Sequence, residues 1–178
     1  MAPNWRRREI LTLALAASAL NHAAMGANSP DPSPAAFVQR FYDWYLAHIS
    51  DPDGPGFEVA LKHRPRAFSK RLTDALRADL RASARVRDEV VGLDFDPFLG
   101  SQDPDPRYQV GDVRRVGVAW LAQVHAVRGG RRSPRPDVTA EVARGPDGWL
   151  FVNFRYPEGH DLLATLAELK RSRRRNRR

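Results

Sequence analysis

Residues 116–127 read VGVAWLAQVHAV, and the fold class turns on them. Val116, Val118, Trp120, Ala122, Val124 and Ala126 alternate with Gly117, Ala119, Leu121, Gln123, His125 and Val127. Side chains two apart share one face of a strand, so one face is wholly apolar and the other mixed. A long β-strand is expected here, with a preceding strand over residues 109–115. Downstream, RGGRRSPRP (128–136) turns the chain into residues 137–144, where Val138, Ala140 and Val142 alternate, and GPDG (145–148) turns it again into residues 149–156. Four strands joined by short connections predict an antiparallel meander.

Upstream the period is helical. Ser33 stands where a helix N-cap belongs, with Pro34 in the first turn, and Phe37, Phe41, Trp44, Tyr45 and His48 form an aromatic stripe beside Val38, Tyr42 and Ile49. SDPDGPG (50–56) ends that helix. A second helical region spans residues 69–86, with Leu72, Ala75, Leu76 and Leu80 on its apolar face. The segment 91–108, VGLDFDPFLGSQDPDPRY, holds four aspartates and three prolines and reads as a long ordered loop. A last helix, residues 160–170, turns Leu162, Leu163, Leu166 and Leu169 toward the core. The expected fold is α+β: N-terminal helices on a curved four-stranded antiparallel sheet, closed by a short C-terminal helix.

The 178 residues suit one domain, and the absence of cysteine excludes thiol catalysis and cysteine zinc sites. The net charge of +8 is unevenly placed. Residues 1–26 have a basic start (WRRR), an apolar stretch at 10–20 (ILTLALAASAL) and then small residues, the layout of a secretory signal peptide. Eleven apolar-rich residues fall short of the roughly 20 needed to span a bilayer, so no transmembrane segment is expected in the mature chain. Arg7-Arg8-Glu9-Ile10-Leu11 resembles a twin-arginine pattern. The expected destination is periplasmic or secreted. Residues 27–34 form a linker, 35–169 the domain, and 170–178 (KRSRRRNRR) a disordered basic tail with seven positive charges. Between leader and tail, 19 basic residues face 20 acidic ones, so the body carries no basic excess. A periplasmic destination argues against nucleic acid, and contact with an envelope polyanion is the functional option for the tail.

The helix FVQRFYDWYL, the loop LDFDPFLGSQD, the strand region YQVGDVRRVGVAWLAQV and the ending GWLFVNFRYPEGHDLLATL resemble the bacterial domain of unknown function 3828 family over about residues 35–168. The resemblance implies a cone-shaped, nuclear-transport-factor-2-like fold and a secreted or periplasmic protein. Some members are similar to immunity proteins paired with secreted toxins. No catalytic residues or cofactor come with it. Its most specific piece is the loop with Asp94, Asp96, Pro97, Phe98, Gln102 and Asp103.

Those aspartates could serve calcium, but the spacing lacks the third ligand and turn glycine of an EF-hand. The expected role is structural, with Asp96 and Asp103 accepting backbone N–H bonds. No metal or cofactor is expected. A cone pocket between sheet and helices would draw on Tyr42, Tyr45, His48, Gln123, His125, Asn153 and Arg155. Three readings follow: a non-catalytic domain binding a protein or small ligand, an acid/base enzyme of isomerase or dehydratase type, and an immunity protein against a secreted toxin.

Overall fold

The computed structural model describes residues 32–50, 56–85 and 92–175. The expected leader, most of the linker and the last three residues of the tail lie outside them. Ser33 caps α1 (Pro34–Leu46), its hydroxyl accepting from the Ala36 N–H at 3.2 Å. A helix absent from the sequence reading follows, α2 (Gly56–His63), then a 3₁₀ turn (Pro65–Ala67) and α3 (Lys70–Ser83), capped by Ser69. In α2, Glu58 occupies the first turn and Lys62 and His63 the last, complementing the helix dipole.

The strands are β1 (Tyr108–Val116), β2 (Ala119–Arg128), β3 (Arg131–Arg132), β4 (Val138–Gly145) and β5 (Gly148–Arg155), and α4 (Leu162–Arg175) ends the described chain. All pair antiparallel in the order β1-β2-β4-β5, with β3 attached to β2. The fold class is therefore α+β, with five strands where four were expected. The added one is a two-residue return of the chain across the Gly129-Gly130 turn, Val127 facing Arg132.

Two boundaries also move. The long strand expected over 116–127 is split by a two-residue turn: Val116 faces Ala119 across Gly117 and Val118, and Gly117 has φ +61°. Glycine is favoured at such a φ because a side chain there is crowded by its own backbone, although the space around Gly117 is open. Val118 is 88% exposed rather than on the apolar face. The last helix continues to Arg175, so residues 170–175 of the expected disordered tail are helical.

Both sheet edges are occupied near their bases. Ser69 N–H donates to Phe151 O at 2.9 Å on β5, where Phe68 and Phe151 form a parallel bridge. On β1 the Gln39 side chain takes the place of a strand: its amide donates to Tyr108 O at 3.2 Å and its carbonyl accepts from Val110 N–H at 2.8 Å. Such coverage removes unpaired groups that would template aggregation.

The core lies between the sheet and α1, α3 and α4. Phe41 stacks on Tyr45 at 5.4 Å and packs on Phe151 at 4.7 Å, while Phe98 stacks on Phe68 at 5.1 Å and meets Phe154 at 4.9 Å. Ala122, Val124, Ala126, Val138, Ala140 and Val142 complete the floor, all buried. Small residues of β2 and β4 interdigitate across this layer with rings from α1, the 91–108 loop, Phe68 and β5.

Candidate functional site

The space where a cone pocket was expected is filled. Tyr42 is fully buried and donates to Phe98 O at 2.6 Å; Tyr156 donates to Pro97 O at 2.9 Å; Tyr45 donates to Asp96 Oδ2 at 2.5 Å. Three tyrosines from α1 and the end of β5 thus pin one short stretch, Asp96 to Phe98. Burial raises the pKa of all three phenols, with the Asp96 charge adding to it. Tyr108 is pushed up to about 12 by burial, against a lowering hydrogen bond from the Asp105 N–H.

Asp96 is the hub. Its Oδ1 accepts from Phe98 N–H at 2.9 Å and Leu99 N–H at 3.1 Å, the geometry of an Asx turn, and its own N–H donates to Ser101 O. Burial raises its pKa, while Tyr45 and the two backbone donors pull it down. Phe98 inserts its ring into the core beside it. Asp94 is exposed and accepts from Gln102, also exposed, at 3.4 Å. Asp103 differs from expectation: it is exposed and engages the loop through its backbone, its N–H and its carbonyl both meeting the Ser101 hydroxyl. Buried capping of the kind expected there is done by Asp137, which accepts from Ala126 N–H at 2.8 Å and Ser133 Oγ at 2.6 Å. Among the described residues no three His, Asp or Glu side chains are grouped to hold a metal.

The remaining candidates do not converge. His48 donates Nδ1–H to Trp44 O at 2.7 Å and stacks on the Trp44 ring, which also carries the Arg64 guanidinium at 4.7 Å. His125, a pocket candidate on the mixed face of its strand, is 3% exposed, lying under the loop after β3, with Nδ1 bonded to Ser133 O at 2.9 Å. Its ring fits only because residue 111 is glycine, since a Cβ there would sit 2.8 Å from Nε2. Nε2 is buried with no hydrogen-bond partner among the described residues. Ser133, Asp137 and His125 are neighbours, but the serine hydroxyl donates to the carboxylate and the imidazole bonds the serine carbonyl, so the three do not form a serine–imidazole–carboxylate relay. Gln123 is half-buried in a row with Thr139 and Arg155 across β2, β4 and β5. Arg155 is exposed and forks onto Glu141 at 2.9 and 3.0 Å. Asn153 turns to α4, accepting from Leu163 N–H at 3.2 Å. Asp161, which caps α4 at Ala164 N–H, is held below the usual carboxylate range: burial raises it, but Asn153, the helix N–H groups and Arg155 outweigh that.

The concave surface lies elsewhere. A groove of about 510 Å³ runs between α3 and α4, floored by Ala75, Ala78, Ala82 and Leu166 and rimmed by arginines and Lys170. A second hollow of about 570 Å³ shares Arg71, Leu163 and Ala167 with it and reaches Glu141 and Asn153. No motif signals this groove in the sequence. What could have found it is Arg173, which continues the stripe of Leu162, Leu166 and Leu169 and forms a buried ion pair with Asp79 of α3. Asp79 is fixed further by Leu93 N–H at 3.2 Å.

No protein-family model matches the chain, and no curated protein matches it in sequence. Among solved structures it is similar to a chain of the type VI effector–immunity complex Tae3–Tai3 from Ralstonia pickettii. In the selenomethionine crystal the identity is 26%, the alignment covers 70% of this chain and 97% of that one, and the TM-score is 0.50. In the native crystal the values are 24%, 70%, 95% and 0.49.

Proposed function

We propose that this chain is an immunity-type protein: an exported, non-catalytic binding domain that neutralises a secreted toxin by forming a complex with it. The observation that carries this reading is the likeness to the effector–immunity complex, at 26% identity over nearly the whole of the matched chain. Chemistry supports the immunity side of such a pair. The hydroxyls of Tyr42, Tyr45 and Tyr156 are taken up by Phe98, Asp96 and Pro97, His48 and His125 are bonded to backbone carbonyls, and the acid/base candidates face different parts of the molecule. A binding protein needs a rigid framework presenting a surface, and the aromatic interior supplies the framework. Membership in the domain of unknown function 3828 family, its cone-shaped fold and a periplasmic address through the leader belong to the same proposal.

A growth competition tests it. A strain lacking the gene, mixed on a surface with its parent, is expected to be outgrown, and the full chain with its leader to restore it. Equal growth of deletion strain and parent would overturn the immunity reading.

A further inference from the structure

We infer that the α3–α4 groove is a docking site for an acidic amphipathic helix of a protein partner. This rests on the immunity reading only for the partner's identity; the groove's own chemistry stands apart from it. Five cations and two carboxylates line it. The carboxylates are already neutralised, Asp74 by Lys70 at 2.5 Å and Asp79 by Arg173. Arg71, Arg85, Lys170 and Arg174 are exposed on the rim and form no ion pair among the described residues. The rim is therefore a one-sign field, while the body of the chain outside leader and tail has near-equal numbers of both signs.

The floor narrows the choice of occupant. Ala75, Ala78 and Ala82 recur on one face of α3, so the two helices leave room at their seam for the apolar side chains of a third element. A lipid surface cannot enter a concave seam, and a phosphate backbone has no use for an alanine floor. An amphipathic helix satisfies both parts, its apolar side on the alanines and its carboxylates reaching the rim arginines. The wall is also fixed in place. Arg173 is only 16% exposed and Asp79 5%, and a pair so desolvated holds the end of α4 against α3 where a free basic tail would be solvated.

The test uses the mature chain and a labelled amphipathic peptide of about 18 residues, long enough for a marginal helix, with Leu and Ala on one face and Glu on the other. Its counterpart carries Lys for Glu. Fluorescence anisotropy should show binding of the Glu peptide only, weakening with salt. Ala78→Trp, which fills the seam, and the exposed double change Arg71→Glu/Arg174→Glu should each weaken binding by at least about tenfold. Thermal melts of the variants check folding, and the exposed pair keeps the test sharp if Ala78→Trp unfolds. Absence of peptide binding, binding indifferent to the variants, or stronger binding to phosphatidylglycerol vesicles or a DNA duplex through the same residues would overturn the proposal. The competition assay separates the two readings. If deletion has no cost yet the peptide results hold, the immunity reading falls and the groove stands; if both variants protect as well as wild type, the groove falls and the immunity reading stands.

Discussion

The interior beneath the sheet and the groove between α3 and α4 are both helix-covered seams, yet they are lined from opposite ends of the size scale. Phe41, Phe68, Phe98, Phe151 and Phe154 close the first, whereas Ala75, Ala78 and Ala82 floor the second. The polar groups differ in the same sense. In the interior, Tyr42, Tyr45, Tyr156 and Asp96 satisfy one another and the backbone of one loop. At the groove, Arg71, Arg85, Lys170 and Arg174 stand exposed with no ionic partner among the described residues, and only Arg173 is held, by Asp79. Residues that attract attention as chemistry can be scaffolding, and a surface without any catalytic side chain can be where binding happens.

The comparison predicts its largest effect at Phe98, whose ring meets four others in the interior. Phe98→Ala should cost about 3–5 kcal/mol in urea unfolding, the range for a buried aromatic truncated in a core that cannot collapse. A loss under about 1 kcal/mol would mean the interior is not close-packed.

Asp96 follows. Asp96→Ala removes the acceptor for two backbone N–H groups and Tyr45, and should cost about 2–4 kcal/mol. Its pH dependence has a definite sign. Because burial raises the carboxyl above its ordinary 3.8, the folded state holds that proton more tightly than the unfolded chain. Wild type should therefore gain stability relative to Asp96→Asn as pH falls through the raised value toward 3.8. Asp161 runs the other way: its folded value is lowered, so its contribution is present above 3.8 and lost as pH falls through the folded value. Urea melts of wild type, Asp96→Asn and Asp161→Asn from neutral pH to well below 3.8 measure both. Parallel slopes would remove the charge argument for the loop.

Much of this was legible in the sequence where a period and a cap coincide. Ser33 with Pro34 and the stripe through Phe37, Phe41 and Tyr45 marked α1, and Val138, Ala140 and Val142 marked β4. That an aspartate of the 91–108 loop accepts backbone N–H bonds was legible, and it holds at Asp96 but not at Asp103; Tyr45, 51 residues away, was not legible, since no local rule names a distant donor. The Gly117-Val118 turn escaped because Val116 and Val118 extend the sequence alternation of β2, although the pairing of Val116 with Ala119 puts Val116 on the face opposite Trp120 and Ala122. Residues 170–175 looked like a solvated charge run; Arg173 is held because Asp79 waits for it on α3, a pairing set by tertiary structure alone. Trp120 was expected deep on the apolar face. It is half-buried near the end of the sheet, edge-on to Trp149 at 6.2 Å, so Trp120→Ala should cost about 1.5–3 kcal/mol rather than a full core loss.

A sharper comparison uses one substitution in two places. Ala140 is fully buried on β4, and Ala140→Leu should cost about 1–3 kcal/mol because the added atoms have nowhere to go among Phe154 and its neighbours. Ala78→Leu puts the same atoms into the groove and should stay within about 0.5 kcal/mol of wild type, as substitutions away from packed features do. The control is the exposed tip of the β1–β2 hairpin, where Val118→Asp adds a charge at an 88% exposed site and should change stability least of all. Urea midpoints at constant m-value give all three on one scale. If Ala78→Leu destabilises as much as Ala140→Leu, the seam between α3 and α4 is as tightly closed as the interior, no partner helix can enter it, and the contrast between the two regions disappears. If it is neutral while Ala140→Leu is costly, the seam between α3 and α4 is open where the interior is closed, and it has room for the side chains of a partner helix.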